Sequence, residues 1–304
     1  MRSSWMLVAS CLFAAMGVCV KLAAAHFSAP EIVFYRSLIS LLLMFVIVRS
    51  TGVSLATRHW RQQCFRGASG FVSLLLYFYA IAMLPLATAV TLNYTSPLFL
   101  ALYFAAFAGL RLRRGTIAAL LTGFVGVIVL LRPTLAADQF AGGLIALGSG
   151  VVSALAYFNV RTLGARGEPE ARTVFYFALF ATICSGLWML LNAFHPIDLG
   201  GGLLLLGVGG FATLAQLSMT RAYKHGKPIV VASLAYSAIV FASLFGLLLW
   251  GETLSPGAWC GIALIVASGV AATRFSRGDS DNDSGRDTGR DTGRDSVTRP
   301  TEPD

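Results

Sequence analysis

Apolar residues in this chain do not alternate with polar ones. They come in predominantly apolar blocks of 17 to 22 residues, separated by short stretches rich in Arg, Gly and Pro. A helix rises about 1.5 Å per residue, so a block of that length matches the roughly 30 Å hydrocarbon core of a bilayer. The blocks predict ten transmembrane helices, over 4–24, 32–48, 67–84, 88–109, 115–131, 142–160, 173–193, 202–220, 229–250 and 257–273. The longest connection, 49–66, is too short for a folded soluble domain. The first block has Arg2 ahead of it and Ala23, Ala24 and Ala25 behind it, as a signal peptide has. It is longer than a signal core, however, and has a counterpart in the second half of the chain.

Composition agrees: 56% of the residues are hydrophobic, only 12% are charged, and the mean hydropathy is +0.73. A water-soluble globular protein carries roughly 25% charged residues, so that class is excluded and an all-α polytopic membrane protein is expected. The net charge of +9 divides unevenly, with 19 basic and 6 acidic residues up to Gly278 against 4 basic and 8 acidic beyond it. The basic excess therefore belongs to the membrane part and marks orientation, not nucleic-acid binding. Taking alternate connections, one side holds 16 cations, among them Arg2, Arg58, Arg66, Arg166, Lys227 and Arg274, and the other holds Arg132 alone. Both termini are expected in the cytoplasm. From 278 the sequence becomes a Gly, Asp, Arg and Thr repeat without a core-forming residue, expected to be a disordered cytoplasmic tail. Five cysteines without a C-x-x-C pair give neither a disulfide framework nor a metal site.

The two halves of the chain resemble each other at an offset of 140 to 143 residues. VFYRSLIS at Val33–Ser40 lies over VFYFALFA at Val174–Ala181, and TLNYTSP at Thr91–Pro97 over ASLAYSA at Ala232–Ala238. With five spans per half, an odd number, the second copy enters the membrane from the opposite side. The expected architecture is two inverted five-helix repeats, 1–137 and 138–277, ahead of the tail at 278–304.

The same residues resemble the ten-span EamA-type members of the drug/metabolite transporter superfamily. The likeness covers residues 3 to about 275 and rests on AIAMLPLATAVTLNYTSPLFLALYFAAFAG in the first half. In the second it rests on LAYSAIVFASLFGLLLWGETLSPGAWCGIALIVASGV, where Gly251 and Glu252 close the ninth span. Arg36 early in the second span fits the family's habit, whereas Leu110 stands where an acidic residue after Gly109 is expected. The resemblance implies a transporter of amino acids and related metabolites, with other members importing vitamins or nucleotide-like compounds.

Polar side chains inside lipid are costly unless they face a cavity or another helix. Ser69, Ser73 and Tyr77; Ser149, Ser153 and Tyr157; Thr213, Gln216 and Thr220; and Ser233, Tyr236 and Ser237 each follow three- or four-residue steps and form one stripe. With Asn93 and Tyr94 these stripes are expected to line one central cavity. The candidate substrate-binding set is Tyr77, Asn93, Tyr94, Tyr157, Gln216, Tyr236 and Ser237, the alternative for each serine or threonine being a bond to its own helix carbonyl. Lys21 is read as snorkelling to the interface. Arg36 is a candidate gate that holds a carboxylate or pairs with Glu31 at the same helix end. The six acids before the tail fall at span ends or in connections, so coupling through a buried acid is not expected. Small residues at Ala119 and Gly123 and at Gly257 and Gly261 suit close packing within the protein, with a homodimer as the alternative.

Together these features describe an inner-membrane secondary transporter, not an enzyme, with no cofactor and with a small-molecule solute and the lipid bilayer as its partners. The expected activity is export of a small polar, amino-acid-like metabolite, an amino acid or an amino-acid-derived product such as an opine-type metallophore, by alternating access. The alternatives are import of a vitamin or nucleotide-like solute of riboflavin type, and a membrane enzyme acting on lipid-linked substrates.

Overall fold

The computed structural model describes residues 2–84, 86–107, 114–131, 139–190, 193–251 and 255–291, and among them it has helices and no strands. After a 3-10 turn at Arg2–Ser4 come α1 (Trp5–Ala23), α2 (Ala29–Ser50), α3 (Trp60–Met83), α4 (Leu86–Asn93), α5 (Ser96–Phe107) and α6 (Arg114–Leu131). The second half supplies α7 (Phe140–Ala165), α8 (Glu170–Met189), α9 (Leu199–His225), α10 (Pro228–Ala235), α11 (Ser237–Trp250) and α12 (Pro256–Asp291). Among the described residues, eight stretches are long and apolar enough to cross a membrane: α1, α2, α6, α7, α8, α9, the run Ala89–Phe107 and the run Pro228–Trp250. The apolar part of α12, Pro256–Ala272, is shorter. Of the remaining sequence features, Leu110, Arg132, Asp138 and Glu252 lie outside the described residues, as does the division between the two halves at 137 and 138.

Local chemistry explains where the helices start and stop. Ser28 and Glu31 form a reciprocal capping box at the head of α2. The Asp198 carboxylate caps α9 by accepting from the Gly201 amide at 2.8 Å, and α10 opens on Pro228. Gly251, with φ +63°, ends α11 in the left-handed conformation that an L side chain resists.

Two of the expected spans, 88–109 and 229–250, are each broken in the middle. Pro97 has no N–H for the Asn93 carbonyl, and the chain turns at Tyr94 and Thr95 between α4 and α5. The second break falls on Tyr236, where the Ser237 hydroxyl donates to the Leu234 carbonyl at 2.6 Å.

Packing is dominated by four helix pairs: α6 with α12, α1 with α9, α3 with α7, and α2 with α8. The backbones of α6 and α12 approach closely, so that a Cβ on Gly126 would lie 2.9 Å from the Gly261 carbonyl, and one on Gly261 2.7 Å from the Gly126 carbonyl. The expected small-residue packing is thus used inside the chain. Large apolar side chains such as Leu42, Val46, Leu203 and Leu206 are exposed on the outside, as a lipid-facing surface requires.

The low-complexity run continues α12. Its backbone is helical as far as Asp291. No proline intervenes before Pro300, and the run enters already helical, so each added residue gains a bond without a new nucleation cost.

Candidate functional site

The two helix breaks face each other. Tyr94 and Tyr236 meet with ring centroids 6.4 Å apart. Tyr236 is fully buried, seated where Gly123 of α6 leaves room, since a Cβ there would lie 2.7 Å from its ring. Among the described residues its hydroxyl has no hydrogen-bond partner, and the same holds for Ser233 Oγ, Thr220 Oγ1, Ser37 Oγ, and Arg66 Nε and Nη1. Burying an unmatched polar group costs on the order of 1 to 3 kcal/mol. Several such groups on α2, α3, α9, α10 and the second break mark a place arranged for something other than stability.

The sequence-predicted residues are distributed unequally around it. Tyr157 stacks on Tyr223 at 5.4 Å and 16°, and Tyr94 has Tyr77 and Tyr157 as electrostatic neighbours, so four of the predicted tyrosines share one region. Gln216 and Arg36 line one small enclosed cavity of about 10 Å³ with Ser37, Ser40 and Phe177. That is the size of one water molecule. Asn93 instead donates to Ser149 Oγ at 2.8 Å, tying α4 to α7. Ser237 is satisfied across the break by the Leu234 carbonyl of α10 and also borders a larger cleft of about 1050 Å³ among α1, α10, α11 and α12, whose rim carries His225, Lys227 and Arg274.

Arg36 and Glu31 do not pair. The Glu31 carboxylate accepts from Ser28 N and Oγ at 2.8 and 2.9 Å, and from the His195 amide at 2.6 Å, with His195 Nδ1 at 2.7 Å. Glu31 closes one end of the bundle by fastening the segment before α9 to the head of α2, because its capping role turns it back toward Ser28 and away from the helix interior.

Arg66 was counted among the orienting cations, yet it is 2% exposed, inside the bundle on α3, with its guanidinium 4.4 Å over the Phe177 ring. The signal that could have found it is the stripe Ser69, Ser73 and Tyr77, which extends one turn back onto Arg66. Tyr223, at the end of α9, was likewise missed.

At the other end, Glu168 gathers the two halves. It accepts from Thr57 Oγ1 at 2.6 Å, Gln63 Nε2 at 3.2 Å and Arg172 Nη1 at 3.0 Å. Arg172 Nε also donates to the Ser54 carbonyl at 2.7 Å. Burial alone would raise the Glu168 carboxyl, but these bonds and the Arg172 charge outweigh it and hold the group below its ordinary value.

Known proteins resemble this chain in sequence and fold. The EamA-like transporter family matches the chain twice, over residues 3–132 and 140–273. The pseudopaline exporter CntI of Pseudomonas aeruginosa is 35% identical over 89% of this chain and 95% of its own length. An uncharacterized transporter of Helicobacter pylori is 28% identical over 88% of this chain and 92% of its length, and a riboflavin transporter of Vibrio cholerae is 26% identical over 87% and 90%. A crystal structure 23% identical to this chain, covering 91% of it and all of its own chain, superposes with a TM-score of 0.81 and shares the fold. The helices, the twofold match and these relatives establish a multi-pass membrane transporter, and the chain belongs to the EamA-like transporter family.

Proposed function

We propose that the protein exports a small polar, amino-acid-like metabolite across the inner membrane, by alternating access of two inverted five-helix halves with both termini in the cytoplasm. The observation that carries the export reading is the 35% identity, over 89% of the chain, to a bacterial exporter. The helix pairing suits inverted halves: exchanging each helix for its counterpart turns the α1–α9 contact into α7–α3 and leaves α2–α8 and α6–α12 unchanged. Helices broken near mid-membrane, with polar groups at the breaks, are how such repeats hold a solute. Glu31 with His195 and Glu168 with Thr57, Gln63 and Arg172 are fastenings at opposite ends, suited to opening in turn as access alternates.

The test compares metabolites inside and outside cells of a deletion strain and its parent. The proposal expects an amino-acid-like compound to accumulate inside the deletion strain and to fall outside it, with recovery on re-expression. Uptake of a riboflavin-type solute is the second reading, favoured by the stacked Tyr157–Tyr223 pair and the riboflavin transporter relatives. Under that reading the deletion strain loses riboflavin uptake and its exported compounds stay unchanged.

A further inference from the structure

Among the described residues, no acid pairs with either of two arginines in the interior. Arg66 reaches in from α3, 2% exposed, with Nε and Nη1 unbonded. Arg36 enters from α2 and lines the small cavity beside Phe177 and Gln216. Phe177 is common ground, because the Arg66 guanidinium lies 4.4 Å over its ring. The two arginines thus come to the same ring from different helices.

Every described acid ahead of residue 278 is engaged elsewhere. Glu31 is held by Ser28 and His195, Glu168 by Thr57, Gln63 and Arg172, and Glu170 by Lys224 and His225. Asp198 caps α9. A guanidinium does not give up its proton, so two such charges inside a membrane protein stay charged and are costly without a counter-ion. The fold nevertheless makes room for them. A Cβ at position 70 would come within 2.8 Å of the Phe177 ring and closer still to Arg66 Nη1, so glycine there keeps the guanidinium seated.

We propose that Arg36 and Arg66 form an anion cradle, with the Phe177 ring as its floor, that takes the carboxylate of the transported solute. This rests on the chain being a solute transporter and names the chemical class it selects. The guanidinium fork fits a planar carboxylate through two parallel hydrogen bonds. Phosphate is also an anion, but the cavity of about 10 Å³ between Arg36 and Phe177 suits a single carboxylate oxygen better than a tetrahedral group. Solutes without a negative group leave both arginines unanswered and are rejected.

The test measures the unfolding temperature of the purified full-length protein in sodium glutamate, sodium phosphate and sodium chloride at matched ionic strength. Beyond the stabilisation that both anions give any folded protein by exclusion from its surface, glutamate should raise it over chloride by about 2 to 4 °C, and phosphate should add nothing further. Arg66→Met and Arg36→Met should each lose the glutamate response. In chloride both should unfold no earlier than the parent, because methionine keeps the bulk and removes an unanswered charge. No glutamate response in the parent protein, a response to phosphate alone, or a glutamate response that persists in both variants overturns the cradle.

In cells, Arg66→Met at normal membrane levels should cut release of the exported compound on the order of tenfold or more, with Arg66→Lys recovering part of it. An exported compound that carries no carboxylate would overturn the cradle and leave the export reading standing. A deletion strain with unchanged metabolites, beside an arginine-dependent glutamate response, would remove the export reading and leave the cradle.

Discussion

Tyr236→Phe removes one oxygen from the centre of the molecule and should separate folding from transport. The ring stays against Tyr94 and in the space left by Gly123, so no cavity opens. The hydroxyl that is lost is buried and unpartnered, a condition that costs about 1 to 3 kcal/mol in the empty protein. The variant should therefore melt no lower than the parent, and up to about 2 to 4 °C higher. If the hydroxyl meets the solute, its removal takes away a partner that water cannot freely supply, a loss of about 1 to 3 kcal/mol, or roughly five- to hundredfold in transport. Tyr236→Ala is a poorer probe, because deleting a buried aromatic costs about 3 to 5 kcal/mol through the cavity it leaves. The assay pairs release of the exported compound at matched expression with thermal melting in detergent. Normal transport together with a lower melting temperature would refute the assignment and make the hydroxyl a structural group.

Other outcomes follow from the same structure. Ser268 donates to the Ala119 carbonyl at 2.7 Å where α12 packs on α6; Ser268→Ala should leave transport near the parent level at a stability cost of about 1 kcal/mol, read by melting. Glu168 is held below its ordinary carboxyl value of 4.5, so its contribution is present above that pH and is lost as pH falls through the lower folded value. Glu168→Gln should lower stability by about 1 to 3 kcal/mol at neutral pH and flatten the acid limb of the melting profile. Truncation after Arg277 should preserve transport, because the removed segment has no apolar residue up to Asp295; loss of transport with normal insertion would assign the tail a role. Reporter fusions should report the C-terminus inside the cell and the segment around Asp198 outside.

The long apolar blocks made the membrane helices legible, and the repeated VFY and tyrosine segments made the duplication legible, because lipid imposes length and internal hydrogen bonding on every span. The breaks were less visible. Pro97 signals the first, but nothing in the apolar run around Tyr236 marks the second, which follows from a single serine turning back onto the Leu234 carbonyl of α10. Tyr77, Tyr94, Tyr157 and Tyr236 came together because helical periodicity fixes which side chains share a face. Arg66 was hidden by its position, six residues into α3, where a cation next to an apolar run reads as an interfacial anchor. Only the packing of α3 against α7 and α8 shows that it faces inward. His195, which binds Glu31, and Thr57 and Gln63, which bind Glu168, lie more than a hundred residues from those acids, and periodicity carries no information about such pairs.

The most direct test of transport itself is efflux from liposomes containing only the purified protein and loaded with the compound that accumulates in the deletion strain. The account predicts release from liposomes with the parent protein, strongly reduced release with Tyr236→Phe, and none from protein-free liposomes. Equal retention with and without the parent protein would contradict it.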